Sequence, residues 1–400
     1  MSNERITFIP VLSQAGEPDN RILIYGAGNI GLAAAEKLSE QGYEVVLVSG
    51  RPLKEGDWRK DAVKRINGSL EGKAGCIHLT SNLNDPKAKD ALLAIHVAGV
   101  PRNPGESRSA VYNTNVEILT NSLPTILRNN PNTPIFGIAN PVDELTEEAY
   151  KIAKEQFAGG RIFGVGSCVD EARYIQHTLN AMKEKYPSSE FDKDRLTGLG
   201  VTGPHNDDMQ PVYQNAMYDG RKLVSDNSDD GALFTHDEMA AIFSKVKSHG
   251  NDYKNEIIPE DIKPYCSTYK RKTGDGDVEG PVEAMLKIVD QYVEIRQRAG
   301  NEASITLNSP ALNASKGRTG GWPLKFENMG YSISVTPESP LLLLQQNGAS
   351  PPIAIGSKII IPNFSKDRLG ETSIKTLASQ GSFEEMILNK SDSPAMAKLS

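Results

Sequence analysis

At 400 residues the chain is longer than the roughly 100–200 residues of a typical domain, so two domains are expected. A hydrophobic share of 38% and a charged share of 24% belong to an ordinary globular protein and exclude wholesale disorder. The formal charge of −7, from 44 Lys and Arg against 51 Asp and Glu, argues against a nucleic-acid partner, and no apolar run approaches the roughly 20 residues of a membrane span.

Residues 1–20 form a polar arm whose short apolar patch is broken by Pro10, which does not read as a secretory signal. Residues 21–25, Arg-Ile-Leu-Ile-Tyr, are an apolar run suited to a buried strand. A glycine-rich turn, a helix over 30–41 stopped by Gly42 and a strand over 43–48 complete a βαβ unit. Further strands are expected at 94–99, 134–140 and 161–166, with helical or polar stretches between them. This alternation predicts an α/β fold, a Rossmann-type doubly wound parallel sheet with helices on both faces.

The pattern changes near residue 165. Asp170, Ala172, Ile175, Leu179 and Met182 keep helical spacing, as do Met239, Ile242, Phe243 and Val246. A third helix carries Val282, Met285, Leu286, Val289, Tyr292 and Val293, with Pro281 in its first turn and Gly300 at its stop. Strands are then expected at 304–307, 331–335 and 353–362, and loops at 219–230 and 270–280. The organisation expected is therefore an arm over 1–20, a dinucleotide-binding domain over 21–165, and an α+β substrate and catalytic domain over 166–400. Cys76, Cys168 and Cys266 are far apart and include no CxxC pair. That usage points to a reduced, cytoplasmic protein with neither a disulfide framework nor a zinc knuckle, and no metal is expected.

Gly26-Ala27-Gly28-Asn29-Ile30-Gly31 is a GxGxxG between a strand and a helix. Its first glycine suits the tight turn, its second lets backbone approach a pyrophosphate, and its third lets helix and strand pack closely. Asn29 and Ile30 open the helix whose N-terminus attracts phosphate charge. An NAD site expects Asp or Glu at the end of the second strand. Here the residues are Ser49-Gly50-Arg51-Pro52, and Glu44 stands at the opposite end of the strand. Arg51 could meet a 2′-phosphate, with Ser49 adding a hydrogen bond, which favours NADP over NAD. The alternative is a solvated surface arginine.

Four more motifs follow in order. Arg102 and Arg108 stand six apart on a Gly/Pro-rich loop after a strand. Asn140-Pro141 follows another strand, Asp170-Glu171-Ala172-Arg173 opens a helix, and Gly203-Pro204-His205-Asn206-Asp207 comes next. Together with the glycine motif, the set resembles the lactate/malate dehydrogenase family, firmly from Arg21 to about Tyr213 and loosely to about residue 390. The resemblance implies hydride transfer between a nicotinamide cofactor and a 2-oxo/2-hydroxy acid. It implies His205 as general acid–base, with Asp170 fixing its tautomer and stabilising the imidazolium. Arg173 would clamp the substrate α-carboxylate, and Arg108 would polarise the reacting carbonyl. Asn140 would hydrogen-bond substrate or cofactor. An arginine at 102, where malate dehydrogenases read the far end of the substrate, implies a dicarboxylate of the oxaloacetate/malate type. Homodimers or homotetramers are usual among such proteins.

Three features depart from the family. Asn206 replaces the glycine usual after the histidine. The stretch between Tyr213 and Pro281 is long, with Thr273 as the candidate for a substrate-side hydroxyl. Residues 313–322 have no counterpart. Two other functions compete. One is an NAD-dependent glycosidase of the same fold, its metal held by Cys168 and His205; the other is a non-catalytic nucleotide-binding protein. The arginines and the Asp170/Arg173 pair speak against a neutral sugar.

Overall fold

The computed structural model describes residues 20–101, 111–131, 133–156, 162–202, 205, 209–227, 231–252 and 279–297, together with strands at 6–8, 304–313, 322–328, 333–337, 353–355, 358–361 and 385–388. The elements run β1 (Ile6–Phe8), β2 (Arg21–Tyr25), α1 (Asn29–Glu40), β3 (Glu44–Val48), α2 (Trp58–Ser69), β4 (Cys76–Thr80), β5 (Leu93–His96), α3 (Tyr112–Asn129), β6 (Ile135–Gly137), α4 (Val142–Gln156), β7 (Ile162–Gly164) and α5 (Gly166–Lys185). Then come β8 (Leu196–Thr197), β9 (Gly200–Thr202), β10 (Gln210–Val212), β11 (Met217–Tyr218), β12 (Arg221–Lys222), α6 (His236–Asp252), α7 (Glu279–Gln297), β13 (Ser304–Asn313), β14 (Trp322–Asn328) and β15 (Ile333–Pro337).

Six strands pair in parallel in the order β7-β6-β5-β2-β3-β4. The chain starts in the middle at β2, runs outward to β4, then crosses to β5 on the other side. Ligands bind in such sheets at the carboxyl ends of the strands, where the order reverses. Ile22, Ile24, Val45 and Leu47 line one face of the sheet and Leu23, Val46 and Val48 the other, all 1% exposed or less. Strands buried on both faces read as continuous apolar runs, so β2 and β3 stand out in the sequence. β4 does not: it is the edge strand, and His78 and Thr80 in it are only partly buried.

Beyond β7 the sheet continues with β13, which pairs antiparallel with it, and then with β14, β15 and β1. Ile6–Phe8, inside the polar arm, thus form a strand. β13 is longer than the expected 304–307 and changes register between Leu307 and Ala311. The stretch expected as one strand over 353–362 is two, 353–355 and 358–361, paired antiparallel, with Gly356 between them in sequence. Residues 219–230, expected as a loop, include the short strand β12. Of the expected loop over 270–280, the last two residues belong to α7 and the rest lie outside the described residues.

α7 packs its buried Val282, Met285, Ile288, Val289 and Tyr292 into the same core as Ile22, Ile24, Leu32 and Leu38. A separate core under α5 and α6 gathers Tyr174, Met182, Val201, Met209, Met239 and Phe243. Among the described residues no helix is long and apolar enough to cross a membrane.

Candidate active site

The site begins at the carboxyl end of β2. Gly26 has φ +124°, and a Cβ there would lie 2.5 Å from the Ala98 nitrogen, because the chain leaving β5 passes directly over it. Gly31 is equally constrained: a Cβ would stand 1.9 Å from the Gly26 carbonyl oxygen. At Gly28, the N-cap of α1, nothing lies within 4 Å of a Cβ position and no side chain caps the helix. The amides of Asn29, Ile30 and Gly31 belong to the first turn and have no acceptor within the helix. An open cradle above uncapped helical amides fits the pyrophosphate of a dinucleotide.

At the end of β3, Ser49 is 2% exposed. Its hydroxyl donates to the Arg51 carbonyl at 2.7 Å and accepts the Arg51 amide at 3.2 Å and Arg59 Nη1 at 2.5 Å. Arg51 itself is exposed. Arg59, the second residue of α2, forks onto Asp57, Nε to Oδ1 at 2.8 Å and Nη2 to Oδ2 at 2.5 Å. Asp57 is the N-cap of α2 and also accepts the Arg59 amide at 3.1 Å. These hydrogen bonds from Arg59 hold the Asp57 carboxyl down to about 2. Glu44, at the other end of β3, is occupied by Arg21 and Lys87 at 3.5 and 3.2 Å.

A histidine–carboxylate–arginine cluster sits at the end of β7. α5 starts at Gly166 rather than at Asp170, so Asp170 lies one turn inside the helix. The earlier start is possible because Gly166 has no side chain: a Cβ there would meet the His205 Cβ at 2.6 Å. Asp170 is completely buried. Its Oδ2 stands 2.6 Å from His205 Nδ1, and its Oδ1 accepts from Arg173 Nη1 at 3.1 Å. One carboxylate thus faces a ring nitrogen of the histidine with one oxygen and steadies the arginine with the other. Arg173 reaches it because residues three apart share a helical face. His205 comes from the segment between β9 and β10, 35 positions away from Asp170, and is 7% exposed.

Two supporting residues have no motif to announce them. Asp143, in the first turn of α4, accepts the backbone amide of His205 at 2.9 Å. Asn115, buried in α3, accepts the Val100 amide at 2.6 Å and donates to the Asn140 carbonyl at 2.6 Å. It ties the chain after β5 to the Asn140–Pro141 corner, whose peptide bond is cis. Asn140 is exposed at that corner. Glu171, next to Asp170 in α5, pairs with Lys287 of α7. The structure therefore brings together Asp170, Arg173 and His205, with Asn140 following β6 on the same edge of the sheet. Arg102, Arg108, Asn206, Asp207, Thr273 and Cys266 lie outside the described residues. Cys76 and Cys168 are not joined in a disulfide, and among the described residues no three His, Cys, Asp or Glu side chains are grouped as a metal ion would require.

Residues 20–164 match the family model for the NAD binding domain of lactate/malate dehydrogenase. The malate dehydrogenase of Staphylococcus carnosus is 28% identical over 232 residues, 58% of this chain and 68% of that protein. The L-lactate dehydrogenase A chain of Harpagifer antarcticus is 24% identical over 302 residues, 75% of this chain and 85% of that one. Among solved structures, Cryptosporidium parvum malate dehydrogenase superposes with a TM-score of 0.58 at 18% identity, covering 91% of this chain and 98% of that one. Lactate dehydrogenase from Eimeria maxima, solved with NADH and oxamate, gives 0.59 at 18% identity over 84% and 92%. The glycine cradle, the order of the parallel strands and the sequence match agree that residues 20–164 are similar to the NAD binding domain of lactate/malate dehydrogenase.

Proposed function

We propose that this protein is a nicotinamide-dependent 2-hydroxyacid dehydrogenase that acts on a dicarboxylate of the oxaloacetate/malate type and prefers NADP to NAD. The observation that carries the reading is the buried His205–Asp170–Arg173 cluster on the edge of the sheet that bears the dinucleotide cradle. His205 exchanges the proton of the substrate oxygen through Nε2, while Asp170 holds Nδ1, sets the tautomer and stabilises the imidazolium. Arg173, oriented by the same carboxylate, takes the α-carboxylate through paired hydrogen bonds. Arg108 polarises the carbonyl, Arg102 meets the distal carboxylate, and Asn140 hydrogen-bonds substrate or cofactor. Gly26, Gly28, Asn29, Ile30 and Gly31 receive the pyrophosphate. When bound, the nicotinamide ring supplies or accepts the hydride.

Both malate and lactate dehydrogenases are among the relatives, so the dicarboxylate preference rests on Arg102. A desolvated distal carboxylate without a cation is costly, and an arginine left unpaired by a shorter substrate is costly too. On this reading residues 21–165 bind the nucleotide and 166–400 supply the catalytic side chains, in a cytoplasmic homodimer or homotetramer. A panel of 2-oxo acids with NADPH and NADH, followed by nicotinamide absorbance, tests it. Oxaloacetate should be reduced far better than pyruvate, NADPH should outperform NADH, and Arg102→Gln should erase the acid preference. Equal turnover of pyruvate and oxaloacetate would refute the assignment of Arg102.

A further inference from the structure

We infer that Arg59, oriented by Asp57 and Ser49, is the residue that distinguishes the 2′ position of the adenosine ribose. The inference rests on the coenzyme reading above and moves the decisive contact from the turn after β3 into α2. In a sheet of this order the adenosine half of a dinucleotide lies beyond the carboxyl end of the strand that ends at Val48, where NAD-type sites place an acid on the ribose. Here that end carries Ser49. A serine hydroxyl has one proton and two lone pairs. The proton of Ser49 goes to the Arg51 carbonyl, and the lone pairs are taken by the Arg51 amide and Arg59 Nη1. Ser49 therefore has nothing left for a phosphate; what it does is hold a guanidinium where other sites hold a carboxylate.

Arg59 has five N–H donors, of which one is spent on Ser49 and two on Asp57, leaving one on each terminal nitrogen. Its side chain is 15% exposed, so the group is fixed but reachable. Asp57 is turned towards Arg59, its Oδ1 accepting Nε and its Oδ2 accepting Nη2, so it serves first to orient the guanidinium. Lys60 adds positive potential close enough to bear on Asp57. Arg51, exposed two residues beyond Ser49, is free to close over an anion already held by Arg59. A rigid fork loses less rotamer freedom on binding than an exposed arginine does, so Arg59 carries the larger share of selectivity.

The test is calorimetric titration of the coenzyme-free protein with NADP+, NAD+, 2′,5′-ADP and 5′-ADP, for wild type, Arg59→Gln, Arg59→Lys and Arg51→Ala. The wild type should bind NADP+ and 2′,5′-ADP more tightly than their unphosphorylated partners. Arg59→Gln should weaken the phosphorylated ligands by roughly 10- to 100-fold and leave the others within about threefold. Arg59→Lys, which keeps the charge but not the fork, should fall between, and it serves as the measurement if Arg59→Gln melts early. If Arg51→Ala removes the preference and both Arg59 variants keep it, Arg59 is not the selector although the NADP reading stands. If the wild type binds NAD+ as tightly as NADP+, the NADP reading fails and the role of Arg59 fails with it.

Discussion

Replacing Asp170 with Asn changes almost no volume but removes a charge that two partners share. The carboxylate is fully buried, with His205 Nδ1 at 2.6 Å and Arg173 Nη1 at 3.1 Å. An amide has one acceptor oxygen and one donor NH2, so it can satisfy only one of them. If the oxygen turns to His205, the NH2 points at a guanidinium that also only donates. If it turns to Arg173, the NH2 faces Nδ1, which puts the imidazole proton on Nε2, where the base must be vacant. Either way a charge-assisted hydrogen bond of about 1.5–3 kcal/mol is lost, worth one to two decades. The imidazolium of the proposed reaction would lose its counter-charge as well. Asp170→Asn should therefore lower kcat/KM by roughly 100- to 1,000-fold while coenzyme affinity stays within about threefold. Steady-state nicotinamide absorbance gives the first quantity and calorimetry the second. Because the two side chains act as a unit, Asp170→Asn combined with His205→Ala should be no slower than His205→Ala alone. Wild-type turnover in Asp170→Asn, or losses that multiply in the double variant, would show that the pair is only structural.

Three other outcomes are expected. Gly31→Ala, whose methyl would press on the Gly26 carbonyl, should destabilise the fold by about 2–3 kcal/mol in urea unfolding, whereas Gly28→Ala, with open space around it, should melt like wild type yet bind dinucleotide at least tenfold more weakly. Asp143→Ala frees the backbone amide of His205 and should cut kcat about tenfold, since a base displaced by a fraction of an ångström misses its proton; an unchanged kcat would remove Asp143 from the site. His96 is buried with its Nε2 2.9 Å from the Ser122 hydroxyl, and burial pushes its imidazole down to about 4. Between pH ~6.5 and pH ~4 the unfolded chain takes up a proton that the folded chain refuses, so stability should fall with pH by roughly 3 kcal/mol across that window and be flatter in His96→Asn.

Much of the nucleotide-binding half is legible from local sequence. The runs Ile22–Ile24 and Val45–Val48 are apolar because both faces of a parallel sheet are covered, and the three glycines are demanded by contacts within one βαβ turn. Asp170 and Arg173 are legible as a pair because helical geometry aligns residues three apart, and the order of motifs then singles out His205. The identity of the residues around them was a matter for the tertiary structure. Asp143 holds the His205 amide across 62 positions, Arg59 reaches Ser49 across ten, and α7 fills the core beneath β2 from the other half of the chain. Periodicity and steric demands act within a turn or a strand, so sequence carries them openly. A hydrogen bond between distant segments leaves no period behind, and which hydroxyl or carboxylate it uses is decided only when the sheet and its flanking helices close around it.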